Sequence, residues 1–140
     1  MDSEFGNALV LKDSGFVIRT KYPWLGCSPD AIVIENGESV LMECKSLKLG
    51  KTNEGLQFLR KCKCLTERSP GEFLLKKTNS YYTQIQFGLY ICNLTRAKLL
   101  LYNDKSKKNI YIDVERDMDH IQELVRSLIL LALFRTFIHE

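Results

Sequence analysis

The sequence feature that most constrains the fold is a tight turn between two apolar runs. Glu35-Asn36-Gly37-Glu38 separates the run at residues 31–34 from a second run at residues 40–46. Asn-Gly is the dipeptide that type I′ turns prefer, because both central residues of such a turn need positive φ angles. The stretch therefore predicts an antiparallel β-hairpin, and the apolar residues on both sides place that hairpin in the middle of the fold.

This hairpin carries three charged residues in runs that otherwise resemble core. Side chains two residues apart in a strand share a face, so Glu43 and Lys45 project together while Cys44 points the other way. The register set by the turn brings Asp30 close to Glu43 or Lys45. Two carboxylates are suitable ligands for Mg²⁺, and an adjacent lysine can hold or activate a water that attacks a phosphodiester. The alternative is a surface salt bridge, worth about 0–1 kcal/mol.

The remaining pattern predicts further strands on both sides of the hairpin. Pro23 and Gly26 predict a break at residues 22–26. The strands are expected at residues 16–20, 73–75, 97–102 and 109–114.

Three segments have helical spacing of apolar residues. A short amphipathic helix is predicted at residues 53–65, ended by Ser69-Pro70-Gly71. A second is predicted at residues 80–93, with Gly88 as a point of close packing. The last is predicted from residue 117 to about residue 138. The order β-ββ-(basic insert)-α-ββ-α predicts an α/β fold with a central mixed β-sheet flanked by helices.

Charge is concentrated in one part of the chain. The net charge of the 140 residues is only +3, whereas residues 45–77 hold nine Lys/Arg and three acidic residues. Such a segment attracts phosphate backbones. The alternative is a solvated lysine-rich loop without a partner.

The cysteines argue against disulfides and metal clusters. There are five of them, an odd number, and no signal-peptide pattern precedes them, which predicts an intracellular protein with reduced thiols. Cys62 and Cys64 form CxC rather than CxxC and have no nearby histidine, so a structural zinc or iron–sulfur site is not expected. The sequence does not distinguish a nuclear from a cytoplasmic protein.

The last predicted helix contains the apolar run LILLALF. This run is shorter than the roughly 20 residues that a bilayer span needs, and Arg126 and Arg135 bracket it. A core helix is the first interpretation, and a contact between copies in a homo-oligomer is the second. No membrane association is expected.

Three motifs in order carry a resemblance to a known family. They are Gly26-Cys-Ser-Pro-Asp30 before an apolar strand, then Met42-Glu-Cys-Lys45, and then Tyr81-Tyr82-Thr-Gln84-Ile-Gln86. Together they resemble the YqaJ-type recombinase nucleases, the group that includes phage lambda exonuclease. This group is a branch of the PD-(D/E)xK superfamily. The resemblance covers roughly residues 15–120 and implies a restriction-endonuclease-like core.

The resemblance implies roles for individual residues. Asp30 and Glu43 would ligate Mg²⁺, or Mn²⁺ in its place, with the backbone carbonyl of Cys44 completing the shell. Lys45 would activate water, and Gln84 would position the lysine or the substrate. No small-molecule cofactor is implied. The residues expected to contact DNA are Ser28, Lys48, Lys51, Lys61, Lys63, Tyr81 and Tyr82.

One departure from the family pattern affects the expected activity. Family members carry an upstream helix with a further acidic metal-site residue, and the short segment before residue 16 has no counterpart of it. Residues 1–6 resemble an expression-vector remnant. Residues 1–140 are otherwise expected to form a single nuclease-like domain. The predicted function is a Mg²⁺-dependent exonuclease acting on duplex DNA ends in recombination or repair. The alternative is a catalytically reduced nuclease fold that acts in DNA binding or protein assembly.

Overall fold

The computed structural model describes the backbone of residues 9–10, 17–19, 22–27, 29–47, 59–103 and 108–139, and the side chains of residues 29–47, 59–103 and 109–134. Within these ranges the strands are β1 (Leu9–Val10), β2 (Val17–Arg19), β3 (Tyr22–Cys27), β4 (Ala31–Glu35), β5 (Glu38–Leu47), β6 (Leu65–Ser69), β7 (Glu72–Leu75), β8 (Arg96–Asn103) and β9 (Lys108–Glu115). The long helices are α1 (Ser80–Cys92) and α2 (Met118–His139).

Five strands form the central sheet, in the order β1-β4-β5-β8-β9. The pair β5–β8 is parallel and the other three pairs are antiparallel, so the sheet is mixed. Helix α1 lies in the connection between the two parallel strands, as a parallel pair requires a crossover. The pairs β2–β3 and β6–β7 form two separate two-stranded sheets. The predicted α/β fold with a central mixed sheet flanked by helices is confirmed.

The predicted hairpin is β4 and β5. Asn36 and Gly37 have φ angles of 52° and 79°, the positive values that a type I′ turn requires. The register pairs Glu35 with Glu38 next to the turn and Ala31 with Met42 at its far end. The turn therefore fixes which residues of β5 lie beside the start of β4.

Helix α1 is capped at both ends and packs closely on β5. The Asn79 side chain accepts a hydrogen bond from the Tyr81 N–H at 2.8 Å. Asn93 ends the helix with a left-handed φ of 54°. A Cβ on Gly88 would lie 2.9 Å from Cδ2 of Leu41, which confirms Gly88 as the point of close approach.

The sheet is packed on both faces. The face toward α1 carries the larger cluster, and the opposite face carries a smaller one around β4 and β5. The larger cluster contains Leu41, Ile85, Leu89, Leu99, Leu101, Ile112 and Val114, and the smaller contains Val33, Val40 and Met42.

Helix α2 begins after Asp117, whose side chain caps the helix by accepting the His120 N–H at 3.1 Å. Ile121 is buried, but much of the later helix is exposed apolar surface, including Leu130, Leu131, Leu133 and Phe134. No helix in the described part of the chain is long and apolar enough to cross a membrane.

The structure differs from the sequence predictions in several elements. Strands β1 and β6 were missed, and residues 22–26 lie within β3 rather than in a break. A proline is tolerated there because a strand of a two-stranded sheet always has an unpaired edge. Helical backbone ends at Lys61, not at Leu65, because Leu65 begins the β6–β7 hairpin. Residues 53–58 of that predicted helix lie outside the described ranges.

Candidate active site

The start of β4 and the middle of β5 bring two carboxyl groups together. The pairing of Ala31 with Met42 places Asp30 beside Glu43. Oδ2 of Asp30 accepts a hydrogen bond from the backbone N–H of Cys44 at 2.8 Å, which fixes the orientation of the carboxyl. The predicted meeting of Asp30 with the β5 strand is therefore present in the structure.

The two carboxyl groups have different surroundings. Asp30 is exposed, whereas Glu43 is buried with 5 % of its surface accessible. Burial, the charge of Asp30 and a hydrogen bond between the two side chains together raise the pKa of Glu43 to about 7, although Lys45 opposes the shift. Near neutral pH the pair therefore holds a proton part of the time. A divalent cation can replace that proton and balance both charges, so the donor set fits Mg²⁺.

Lys45 lies on the same face of β5 as Glu43, under the first turn of α1. Its Nζ is 5.0 Å from the centroid of the Tyr81 ring, within the range of a cation–π contact. The hairpin and the start of α1 thus bring Asp30, Glu43, Lys45 and Tyr81 into one patch.

The two glutamines of the YxQxQ pattern occupy different environments. Gln84 is exposed on α1, and its positioning role stays a prediction. Gln86 is fully buried. Its Nε2 donates to the Glu115 carbonyl and its Oε1 accepts the Asp117 N–H, both at 2.8 Å. Gln86 therefore ties α1 to the junction of β9 and α2. Its position within the buried i, i+3, i+4, i+7 stripe of α1 indicates that the side chain is buried, but it does not indicate these partners.

Tyr82 is buried and links α1 to the residue that precedes α2. Only 7 % of its surface is accessible, and its hydroxyl donates to Oδ2 of Asp117 at 2.5 Å. Its ring also meets the His120 ring edge-on at a centroid distance of 4.9 Å. That Tyr82 contacts DNA stays a prediction; in the structure its ring and its hydroxyl both make contacts inside the protein. Tyr81 is the tyrosine on the side of Lys45.

Part of the predicted DNA-binding set lies close to this patch. Lys61 and Lys63 are exposed and line a cavity of about 340 Å³ that also includes Tyr81 and Ser80. That these lysines bind DNA stays a prediction. Ser28, Lys48 and Lys51 lie outside the described residues.

The thiols of Cys62 and Cys64, next to these lysines in the sequence, are buried in the core. Burial and the neighbouring Cys64 raise the pKa of Cys62 to about 11, which keeps its thiol neutral. Across the described ranges, no group of three or more His, Cys, Asp or Glu side chains is arranged to hold a metal ion. The candidate site therefore offers two carboxyl groups, the number that Mg²⁺ takes when water and substrate phosphate complete its shell.

Known structures share this fold. The structure of LHK-Exo, an alkaline exonuclease from Laribacter hongkongensis, matches with a TM-score of 0.63 and 19 % sequence identity, covering 94 % of this chain and 60 % of LHK-Exo. LHK-Exo in complex with dAMP matches with a TM-score of 0.66 and 19 % identity, covering 96 % of this chain and 60 % of that one. The chain thus spans about 60 % of the length of these structures. No protein-family model and no curated protein matches the sequence.

Proposed function

We propose that this chain is a metal-dependent DNA nuclease domain of the YqaJ type, acting as an exonuclease on duplex DNA ends in recombination or repair. The observation that carries the proposal is the meeting of Asp30 and Glu43 beside Lys45. The fold shared with an exonuclease of known structure supports the coarser part of this proposal, a nuclease. The three sequence motifs that contain these residues also support it.

The proposed roles follow from the surroundings of each group. Asp30, Glu43 and the Cys44 carbonyl would hold Mg²⁺, or Mn²⁺, and the bound cation would supply Lewis-acid polarisation of the scissile phosphate. Lys45 orients a water for attack on phosphorus and stabilises the developing charge. The water oxygen forms the new bond to phosphorus and the water releases a proton to solvent, while one ester P–O bond breaks and the leaving oxygen takes up a proton from solvent. No covalent enzyme intermediate is formed.

The surface beside the site supplies the proposed contacts to DNA. Lys61 and Lys63 extend from the segment that precedes β6, on the cavity that Tyr81 also lines. Two exposed ammonium groups on the cavity that Tyr81 lines suit the phosphates on one side of the scissile bond. Lys48, Lys51 and Ser28 are proposed to extend this contact.

The test is digestion of linear, 5′-phosphorylated duplex DNA with Mg²⁺ or with EDTA. We expect degradation that requires the metal and that falls by at least about 100-fold in Lys45→Ala, a loss typical of an essential catalytic group. Lys76→Ala is the matched control, because Lys76 is an exposed lysine outside the site and should leave the rate nearly unchanged. Degradation by Lys45→Ala at the wild-type rate would contradict the proposal.

A second candidate function rests on a specific observation. Only two acidic side chains meet in the described part of the site, and α2 exposes an apolar surface that includes Leu130 and Phe134. A catalytically reduced domain that binds DNA or assembles with a second copy through α2 would have these features. Mn²⁺ binding distinguishes the two functions, because a reduced domain has no need of it. Sedimentation of Leu130→Ser beside the wild type tests the assembly.

A further inference from the structure

The contact between Lys45 and Tyr81 joins the sheet to the helix at the candidate site. Lys45 is half-buried, and its Nζ lies over the face of the Tyr81 ring, 5.0 Å from the centroid. The negative face of an aromatic ring attracts an ammonium ion at this distance. A lysine side chain otherwise has about 2 kcal/mol of rotamer entropy to lose before it holds one position.

Tyr81 is well placed to hold such a side chain, because the backbone that carries it is fixed on both sides. Its N–H bonds to the Asn79 side chain at 2.8 Å. The next residue, Tyr82, is buried and bonded to Asp117, and Gln86 ties the following turn to the same junction. The ring of Tyr81 is thus presented by a rigid helix start toward a flexible lysine.

We propose that Tyr81 is a positioning residue that acts through Lys45, its ring holding the ammonium group beside the Asp30–Glu43 pair. The inference rests on the proposed nuclease function and assigns Tyr81 to the chemical step. Without the Tyr81 ring, Lys45 is free to extend into solvent. A smaller fraction of the enzyme–substrate complexes then has a correctly oriented lysine. The hydroxyl of Tyr81 has no part in this role; the aromatic face does.

The competing role for Tyr81 is a contact to DNA, since its side chain also lines the cavity of Lys61 and Lys63. The two roles change different kinetic constants. Loss of a ring that stacks on a base or packs on the backbone weakens DNA binding and raises KM. Loss of a ring that holds Lys45 lowers kcat and leaves KM unchanged.

The experiment compares Tyr81→Leu, Tyr81→Phe and the control Tyr90→Leu on duplex DNA ends with Mg²⁺. We expect kcat to fall by about 2- to 30-fold in Tyr81→Leu, the factor that corresponds to one cation–π contact, with KM unchanged. Tyr81→Phe retains the wild-type kcat. Tyr90 is on the same helix but outside the candidate site, so Tyr90→Leu changes neither constant. A rise in KM alone, an unchanged kcat in Tyr81→Leu, or a Phe variant as slow as the Leu variant would overturn the proposal.

A second readout is independent of cleavage. A ring face shifts the NMR signals of protons above it upfield, so the ε-methylene protons of Lys45 should be shifted upfield in the wild type and in Tyr81→Phe but not in Tyr81→Leu. Equal shifts in all three proteins, in samples that circular dichroism shows to be folded, overturn the contact. A wild type that does not cleave DNA overturns the proposed function instead, and the Lys45 signals then decide alone whether Tyr81 holds the lysine.

Discussion

At the scale of single residues, the site depends on two carboxyl groups that meet in unequal surroundings. Their meeting could be predicted from the sequence, because the Asn36-Gly37 turn fixes the register of the hairpin and the register places Asp30 beside Glu43. The burial of Glu43 could not be predicted. It depends on the helix that covers this face of the sheet, and a strand pattern alone does not say which face is covered.

The first prediction concerns the protonation of Glu43 in the metal-free protein. We expect it to titrate near pH 7, because burial and the neighbouring Asp30 disfavour its charged form. Asp30→Asn should lower the pKa of Glu43 toward, but not to, its ordinary value of 4.5, because burial remains. A pKa raised in the folded state means that the folded protein binds this proton more tightly than the unfolded chain. The contribution of Glu43 to stability therefore declines as pH rises from about 4.5 through about 7.

Side-chain carboxyl ¹³C NMR over this pH range measures the titration directly. Glu38→Gln is a suitable control, since Glu38 is an exposed acid at the turn of the same hairpin, remote from Asp30. Removal of the Glu38 charge should leave the titration midpoint of Glu43 unchanged. A Glu43 midpoint at its ordinary value, or one that Asp30→Asn does not move, would contradict the arrangement of the pair.

At the scale of elements, helix α1 determines how the site is assembled. Its limits and the close approach at Gly88 could be predicted, because apolar spacing and small residues are local features of the sequence. The roles of Tyr82 and Gln86 could not, since their partners lie near Asp117, about thirty residues further along the chain. Hydrogen bonds between distant segments leave no periodic signal.

The second prediction tests the packing of α1 on β5. Gly88→Ala places a Cβ 2.9 Å from Cδ2 of Leu41, which is fully buried and has little room to move. Overpacking of this kind costs about 1–3 kcal/mol, whereas the helix propensity of alanine returns up to about 1 kcal/mol. We expect a net loss of about 1 kcal/mol in the free energy of unfolding, measured by urea denaturation.

The double variant Gly88→Ala/Leu41→Val separates these two effects. Shortening Leu41 makes room for the new methyl group, so the double variant should be more stable than the sum of the two single changes predicts. A Gly88→Ala protein that is more stable than the wild type would show that the helix is not held at this distance from the strand.

At the scale of the whole molecule, the sequence predicted the central sheet better than its surroundings. Strands β4, β5, β8 and β9 are rich in apolar residues, so alternation and turn residues locate them. The strands of the two two-stranded sheets were harder to predict. Strand β6 is mostly exposed, with only Leu65 buried, and its pattern does not differ from that of a polar loop. Proline breaks a central strand because it has no N–H to donate to a neighbouring strand. Pro23 is accepted in β3 because β3 belongs to a two-stranded sheet and has an unpaired edge.

We propose that Asp30 and Glu43 together form a divalent-cation site. The most direct measurement is Mn²⁺ binding, followed by water-proton relaxation during titration of the wild type, Asp30→Asn and Glu43→Gln. We expect one Mn²⁺ site in the wild type, displaced by Mg²⁺ and weakened by at least about tenfold in each variant, because each substitution removes one of two carboxylate ligands. Binding of equal strength in all three proteins, or no binding to the wild type, would contradict it.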